Sequence, residues 1–367
     1  MIDTIIINIP RIKAKMLSEK KWDLIARKDF YSKFIKNPTK SQKESGKYYP
    51  RLTGVQRAGS ESIIKIEFSI PKLLYLNNLD EVEEKDFKLV TSTLKERLID
   101  MNLLITEKDL QIADVSAVHY SKNIELKKGY TAKHIISELQ KINLNKLNDL
   151  TKTRFMNSGE SLQGYSISNS FVFYDKISDL KKDKKRATDR DQNPYQTSLF
   201  KQFQEEEILR FEVRLSQKRK LNSLFGKYGY NKNPTFQEVF SEEKAVKVLT
   251  EYWNEKIDKN KYVLFTYSEN SESLLKKISI ARPKSRPQTL LSLLGLVSFV
   301  KDNNGGLREL RTILTARITN RAWYSVIRNL KDISRDLEDL SELDWYTEVS
   351  MQIKNYEPYK IKKLLNA

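Results

Sequence analysis

The stretch that decides the fold is ILRFEVRLSQKRKL, residues 208–221. Side chains alternate along a strand, so each face can be read separately. Leu209, Phe211, Val213 and Leu215 make one face, and Arg210, Glu212 and Arg214 make the other. Over 208–215 this predicts a half-buried antiparallel strand, apolar on one side and polar on the other. The polar side sets one carboxylate between two guanidiniums. Upstream, SNSFVFYDKISDL (168–180) alternates in the same way. Phe171, Phe173 and Ile177 face away from Val172, Tyr174 and Lys176. In 115–122, His119 shares a face with Val115, Ala117 and Ser121. In 63–70, Ile64, Ile66, Phe68 and Ile70 oppose Lys65, Glu67 and Ser69. A strand at 51–57 joins that one through the turn-like AGSES. Further strands are expected at 4–9 and 165–170.

Helices flank these strands. Residues 83–101 carry Phe87, Val90, Leu94, Leu98 and Met101 at helical spacing. Residues 131–142 predict a helix capped by Thr131, with Ile135, Ile136 and Leu139 inward. Beyond about residue 230 the pattern turns helical, at 234–257, 288–300, 306–315, 320–332 and 334–343. A β-like segment at 262–266 and a two-proline hinge at 282–287 interrupt it. The expectation is an α+β chain. An antiparallel sheet flanked by helices fills 1–230, and a mainly helical domain fills 231–367. Between the strands lies a polar, charged loop, 181–205, with Pro194 in it. Its segment 181–190 holds six basic and two acidic residues. It is either a solvated linker or a phosphate-gripping loop. The helical part is either a plain packing domain or a helix-turn-helix-like bundle with RITNRAWYSVIRN (317–329) as its basic helix.

Composition bounds the chemistry. The 367 residues carry 66 Lys+Arg against 48 Asp+Glu, a formal charge of +18, with two histidines and no cysteine. Disulfide scaffolds, cysteine metal sites and thiol nucleophiles are therefore excluded. The basic excess points to a polyanion, with nucleic acid ahead of an anionic membrane surface. No apolar run approaches the roughly 18 residues of a membrane span. The opening MIDTIIINIP, with Asp3 early, does not read as a signal peptide. A cytoplasmic protein with no membrane partner is expected. If the polar strand faces share one sheet, they assemble a site. Glu67, His119 and Glu212 suit Mg²⁺ or Mn²⁺. Tyr174 offers a hydroxyl, while Lys176, Arg210 and Arg214 offer positive charge to a phosphate. Ordinary solvent-facing residues of a sheet would read the same way.

The blocks ILRFEVRLSQKRKL, SNSFVFYDKISDL and VSAVHYSKNIEL (115–126), with MIDTIIINIP and SIIKIEFSIPKLLY (62–75), resemble the gene II replication proteins of filamentous phages and their plasmid and prophage relatives. The resemblance covers about residues 1–230, in the family's order. Beyond that it is loose, around RAWYSVIRNL (321–330). It implies a rolling-circle replication initiator related to the tyrosine nicking endonucleases. Such an enzyme nicks one strand of an origin, forms a covalent phosphotyrosine, leaves a 3′-hydroxyl primer and later rejoins the strand by transesterification. Carried onto this chain, the nucleophile falls on Tyr174, followed by Lys176, and the acidic strand position falls on Glu67. Glu212 and its flanking Arg210 and Arg214 match directly. His119 stands where the phage protein has Asp. The wider superfamily's His-hydrophobe-His pair has no counterpart here, so the metal site is divergent or has a further ligand. Lys181, Lys182, Lys184, Lys185, Arg186, Lys218, Arg219 and Lys220 become candidate DNA contacts. Nearby cations are expected to favour the Tyr174 phenolate. Tyr165 and Tyr120 are candidate assistants. With no P-loop pattern in the chain, a host helicase and DNA polymerase are implied partners in a bacterial host. A conjugative relaxase and a non-catalytic DNA-binding regulator are the alternatives.

Overall fold

The computed structural model describes residues 1–17, 22–127, 129–142, 152–156, 160–181, 206–264, 270–303, 306–314, 317–337 and 344–361. Among the described residues, twelve strands run β1 (Ile2–Pro10), β2 (Lys15–Met16), β3 (Asp23–Lys28), β4 (Tyr31–Lys36), β5 (Arg51–Arg57), β6 (Ser60–Ser69), β7 (Leu103–Leu104), β8 (Asp114–Glu125), β9 (Lys152–Met156), β10 (Ser161–Tyr165), β11 (Asn169–Asp175) and β12 (Ile208–Leu215). Ten of them form one antiparallel sheet in the order β3-β4-β5-β6-β1-β8-β12-β11-β10-β9, and β2 pairs with β7. The fold is α+β, with a helical C-terminal region.

The apolar sides of the central strands make the core. Ile5 and Ile7 of β1, Ile64, Ile66 and Phe68 of β6, and Leu209, Phe211 and Val213 of β12 are all buried. Helices α1 (Phe87–Asp100), α2 (Ala132–Gln140), α3 (Lys176–Lys181), α4 (Lys218–Lys227), α5 (Phe236–Val239) and α6 (Glu242–Lys256) follow in chain order. Thr131 caps α2 by accepting from the His134 amide at 3.1 Å, as the sequence suggests. On the sheet, Phe173 and Phe211 stack with centroids 4.5 Å apart, and Trp253 of α6 meets them edge-on at 6.0 and 6.4 Å. Phe236 of α5 packs edge-on against Phe68 at 5.8 Å. Each such aromatic pair adds about 0.5–1.5 kcal/mol beyond its buried area.

Apolar packing continues across residue 230. One core cluster runs from Met1 to Tyr356 and includes α5, α6 and α11 (Asp344–Lys354). Helices α7 (Ser271–Ala281), α8 (Pro287–Asp302), α9 (Gly306–Leu314) and α10 (Asn320–Leu337) add Ile278, Val297, Leu307 and Leu330 to the same cluster and pack largely on one another. Helix α10 continues through the expected break at 332–334 and buries Trp323, Leu330, Ile333 and Leu337. The β-like segment expected at 262–266 begins instead as a 3₁₀ helix, Asp258–Val263. The expected strand 165–170 is the close of β10, a Ser166–Ser168 turn and the start of β11. The turn is held by the Ser166 hydroxyl donating to Asn169 Oδ1 at 2.6 Å. Among the described residues, no helix is long and apolar enough to cross a membrane.

Candidate active site

Register places the polar residues on one face of the sheet. Across β8, β12 and β11, His119 aligns with Arg214 and Ser170, Ser121 with Glu212 and Val172, and Asn123 with Arg210 and Tyr174. On the other side of β8, His119 aligns with Thr4 of β1. Val115 does not share this face. The register shift between Ile6 and Ile7 places two β8 steps against one of β1, and Val115 joins the apolar core. A second register shift lies between Ile2 and Thr4. It leaves Asp3 as the extra residue of a bulge, the usual device for re-aiming a side chain.

Glu212 is the hub. Its carboxylate is 2 % exposed and accepts from Arg214 Nε at 3.0 Å and Arg214 Nη2 at 3.1 Å. His119 Nδ1 lies 3.4 Å from its Oε1, and the Tyr174 hydroxyl donates to its Oε2 at 3.4 Å. Burial alone would raise the Glu212 pKa, but Arg214 and His119 outweigh it and hold the carboxyl well below its ordinary value. Asp3 is the second carboxylate. Burial raises it too, and Arg210 overcomes that to lower it. Arg210, 1 % exposed, donates to Asp3 Oδ1 at 2.6 Å, to Ser121 Oγ at 2.9 Å and to the Asn78 carbonyl at 2.7 Å. Strand β12 is therefore buried on both faces, against the half-buried reading. The segment around Asn78 lies over its polar side, and only Arg214, with 34 % of its side chain exposed, reaches solvent.

Asp3, His119 and Glu212 each present one ligand atom, and these atoms lie within 4.8 Å of one another. Two carboxylates and an imidazole fit a hard or borderline divalent cation. The two arginines compete for the same oxygens. Arg214 can turn to solvent, whereas Arg210 is fixed by three bonds. Glu67 does not join this group. It aligns with Ile6, two residues and two strands from His119, about 12 Å away at strand spacings of ~4.8 Å and ~3.3 Å per residue. Its carboxylate instead faces Arg51 at 3.9 Å. Asp3 takes the place expected of Glu67, and its only signal in the sequence is an acid interrupting the apolar opening strand.

Tyr174 is half-buried on the site face, and the fully buried Lys176 begins α3 with its Nζ 5.7 Å from the Tyr174 ring centre. The expected phenolate is not favoured. Burial pushes the Tyr174 phenol well above its ordinary value. Arg210 opposes this, but Glu212, Asp179 and Asp3 reinforce it. Tyr120 is ruled out as an assistant. It lies on the apolar face, and its hydroxyl donates to the Val239 carbonyl at 3.0 Å. Tyr165 aligns with Ser170 and so stays on the site face. Of the candidate DNA contacts, Lys181 ends α3, and Lys182, Lys184, Lys185 and Arg186 lie outside the described residues. Lys218, Arg219 and Lys220 open α4. Lys218 is tied to Asp114 at 2.7 Å, and Arg219 is exposed.

Compared with known proteins, the chain matches no family model, no curated protein and no solved structure.

Proposed function

We propose that this chain nicks one DNA strand at a replication origin through Tyr174 and so initiates rolling-circle replication of a phage or plasmid. The observation that carries the reading is the 3.4 Å hydrogen bond from Tyr174 to Glu212, inside a group where Asp3, His119 and Glu212 converge. A hydroxyl nucleophile, a metal-ligand set and guanidiniums for a phosphate meet on one face. The high pKa of Tyr174 sets a requirement on the chemistry. The nucleophile rests as a neutral phenol and must lose its proton as it attacks. In the step, a bond forms from Tyr174 Oη to phosphorus while the bond from phosphorus to O3′ breaks. The phenolic proton passes to Glu212 and, through water, to the departing 3′ oxygen. Arg214, of the two guanidiniums at the site the one with solvent access, would leave Glu212 for the phosphate, which raises the basicity of Glu212 as DNA binds. Mg²⁺ or Mn²⁺, held by Asp3, His119 and Glu212, would supply Lewis-acid polarisation of a phosphate oxygen. Rejoining reverses the step, with the 3′-hydroxyl attacking the phosphotyrosine. A host helicase and DNA polymerase would extend the 3′ end.

The test is nicking of supercoiled plasmid carrying DNA that flanks the gene, with Mg²⁺ or Mn²⁺. The wild type should yield open circles and Tyr174→Phe should not. Nicking by Tyr174→Phe at the wild-type rate would remove Tyr174 from the role. Indifference to EDTA would remove the metal.

A further inference from the structure

We propose that Lys33, Arg57 and Lys65 form a phosphate-backbone site that grips single-stranded DNA on the sheet face that carries Tyr174. The three residues come from β4, β5 and β6, which are neighbours in the sheet. Lys33 aligns with Val55, Arg57 with Tyr31, and Lys65 with Thr53. Alternation along each strand then puts all three on one side. Lys65 aligns in turn with Asn8 of β1, on the face where Thr4 meets His119. The cluster and the candidate active site therefore lie on one face of the sheet. At ~4.8 Å between strands and ~3.3 Å per residue, they lie roughly 20–25 Å apart.

Among the described residues, none of the three cations has an acidic partner. Burial, followed by Arg57 and Lys33, lowers the Lys65 pKa, as expected where like charges crowd without a counterion. Such crowding is costly in the free chain and is relieved by an anion. Aromatic rings stand beside the cations. The Arg57 guanidinium lies 5.8 Å from the centre of the half-buried Tyr31 ring, and Phe30, at the tip of the β3–β4 hairpin, is 75 % exposed. Cations that track a backbone beside rings that stack bases are the combination used to hold single strands. A duplex offers no unstacked base to these rings. The proposal rests on the strand-nicking reading for which strand is held, but its test reads binding separately from chemistry.

The test is fluorescence anisotropy with a labelled single strand of about 20 nucleotides, longer than one binding fold covers. Wild type is compared with the Lys33→Gln, Arg57→Gln, Lys65→Gln triple variant between 50 and 200 mM salt, at about 0.7 in log–log slope per single-strand phosphate contact. Three lost contacts should flatten the slope by about 2. The salt rise then costs the wild type about 20-fold more affinity than the variant. The variant's thermal midpoint should be unchanged or higher, since repulsion is removed. Should the triple variant fail to fold, Lys33→Gln with Arg57→Gln should still flatten the slope by about 1.4. An unchanged slope overturns the proposal, as does a loss confined to blunt duplex. Adduct formation at Tyr174 is followed in parallel. Unchanged binding with an adduct overturns the patch alone. A flattened slope with no adduct in either protein supports the patch and overturns the nicking reading.

Discussion

Glu212→Gln is the perturbation that most sharply tests the site's electrostatics. The amide keeps the shape of the side chain but loses its charge. It cannot accept both Arg214 bonds, at 3.0 and 3.1 Å, and the Tyr174 bond as the carboxylate does. Removing one partner of a buried ion pair costs about 3–5 kcal/mol. Arg214 keeps 34 % of its side chain in solvent and can recover hydration, so the low end, about 3 kcal/mol, is expected. At roughly 2.1 cal/mol/K per residue, that lowers the melting midpoint by about 4 °C for this chain. The pH dependence gives a second handle. The folded pKa of Glu212 lies well below its ordinary 4.5. Its stabilisation is therefore complete above about pH 4.5 and is lost as pH falls toward the folded value. Thermal and urea unfolding of both proteins from pH 7 to pH 3 should show the gap narrowing only below about pH 4.5. A variant as stable as wild type at pH 7, or a gap constant down to pH 3, would refute the hub assignment.

Other outcomes follow from the same geometry. Because the Tyr174 phenol titrates well above its ordinary value and Glu212 well below its own, with Glu212 taking the proton during attack, the nicking rate should be flat from neutrality through pH 9 and fall only in the acid range; a rate that climbs steadily with pH would mean that the phenolate forms before attack and that Glu212 is not the base. Mg²⁺ or Mn²⁺ at about 100 times its dissociation constant should stabilise the fold by about 2.7 kcal/mol, and Asp3→Asn should abolish most of that shift in thermal unfolding, whereas Glu67→Gln should not. In α10, Trp323→Ala should cost about 3–5 kcal/mol in urea unfolding, since Trp323 is buried. Exposed Arg321→Gln should stay within about 0.5 kcal/mol.

Much of the sheet was legible because period-two alternation is a strong signal in β6, β11 and β12. Strand β5 was read to its true bounds, and Tyr174, Arg210, Glu212, Arg214 and His119 do share a face. What escaped was irregularity. A bulge obeys no period, so neither Asp3, swung into the site, nor Val115, swung out of it, could be placed by counting. Strand alignment was equally hidden. Glu67 has the right residue type and the right face but lies too far along β6. The hairpin of β3 and β4 went unseen because an exposed edge alternates weakly, with Leu24, Ile25 and Phe30 all solvent-facing. Burial of both faces of β12 came from the distant segment around Asn78, which no local pattern reports.

The most direct measurement is mass spectrometry of the protein after reaction with flanking-region DNA and Mg²⁺ or Mn²⁺. Nuclease digestion followed by peptide mapping should find a nucleotide phosphate on the peptide bearing Tyr174, and none in Tyr174→Phe. An adduct on another residue, or nicked DNA with no covalent protein, would contradict the assignment of Tyr174 as the nucleophile.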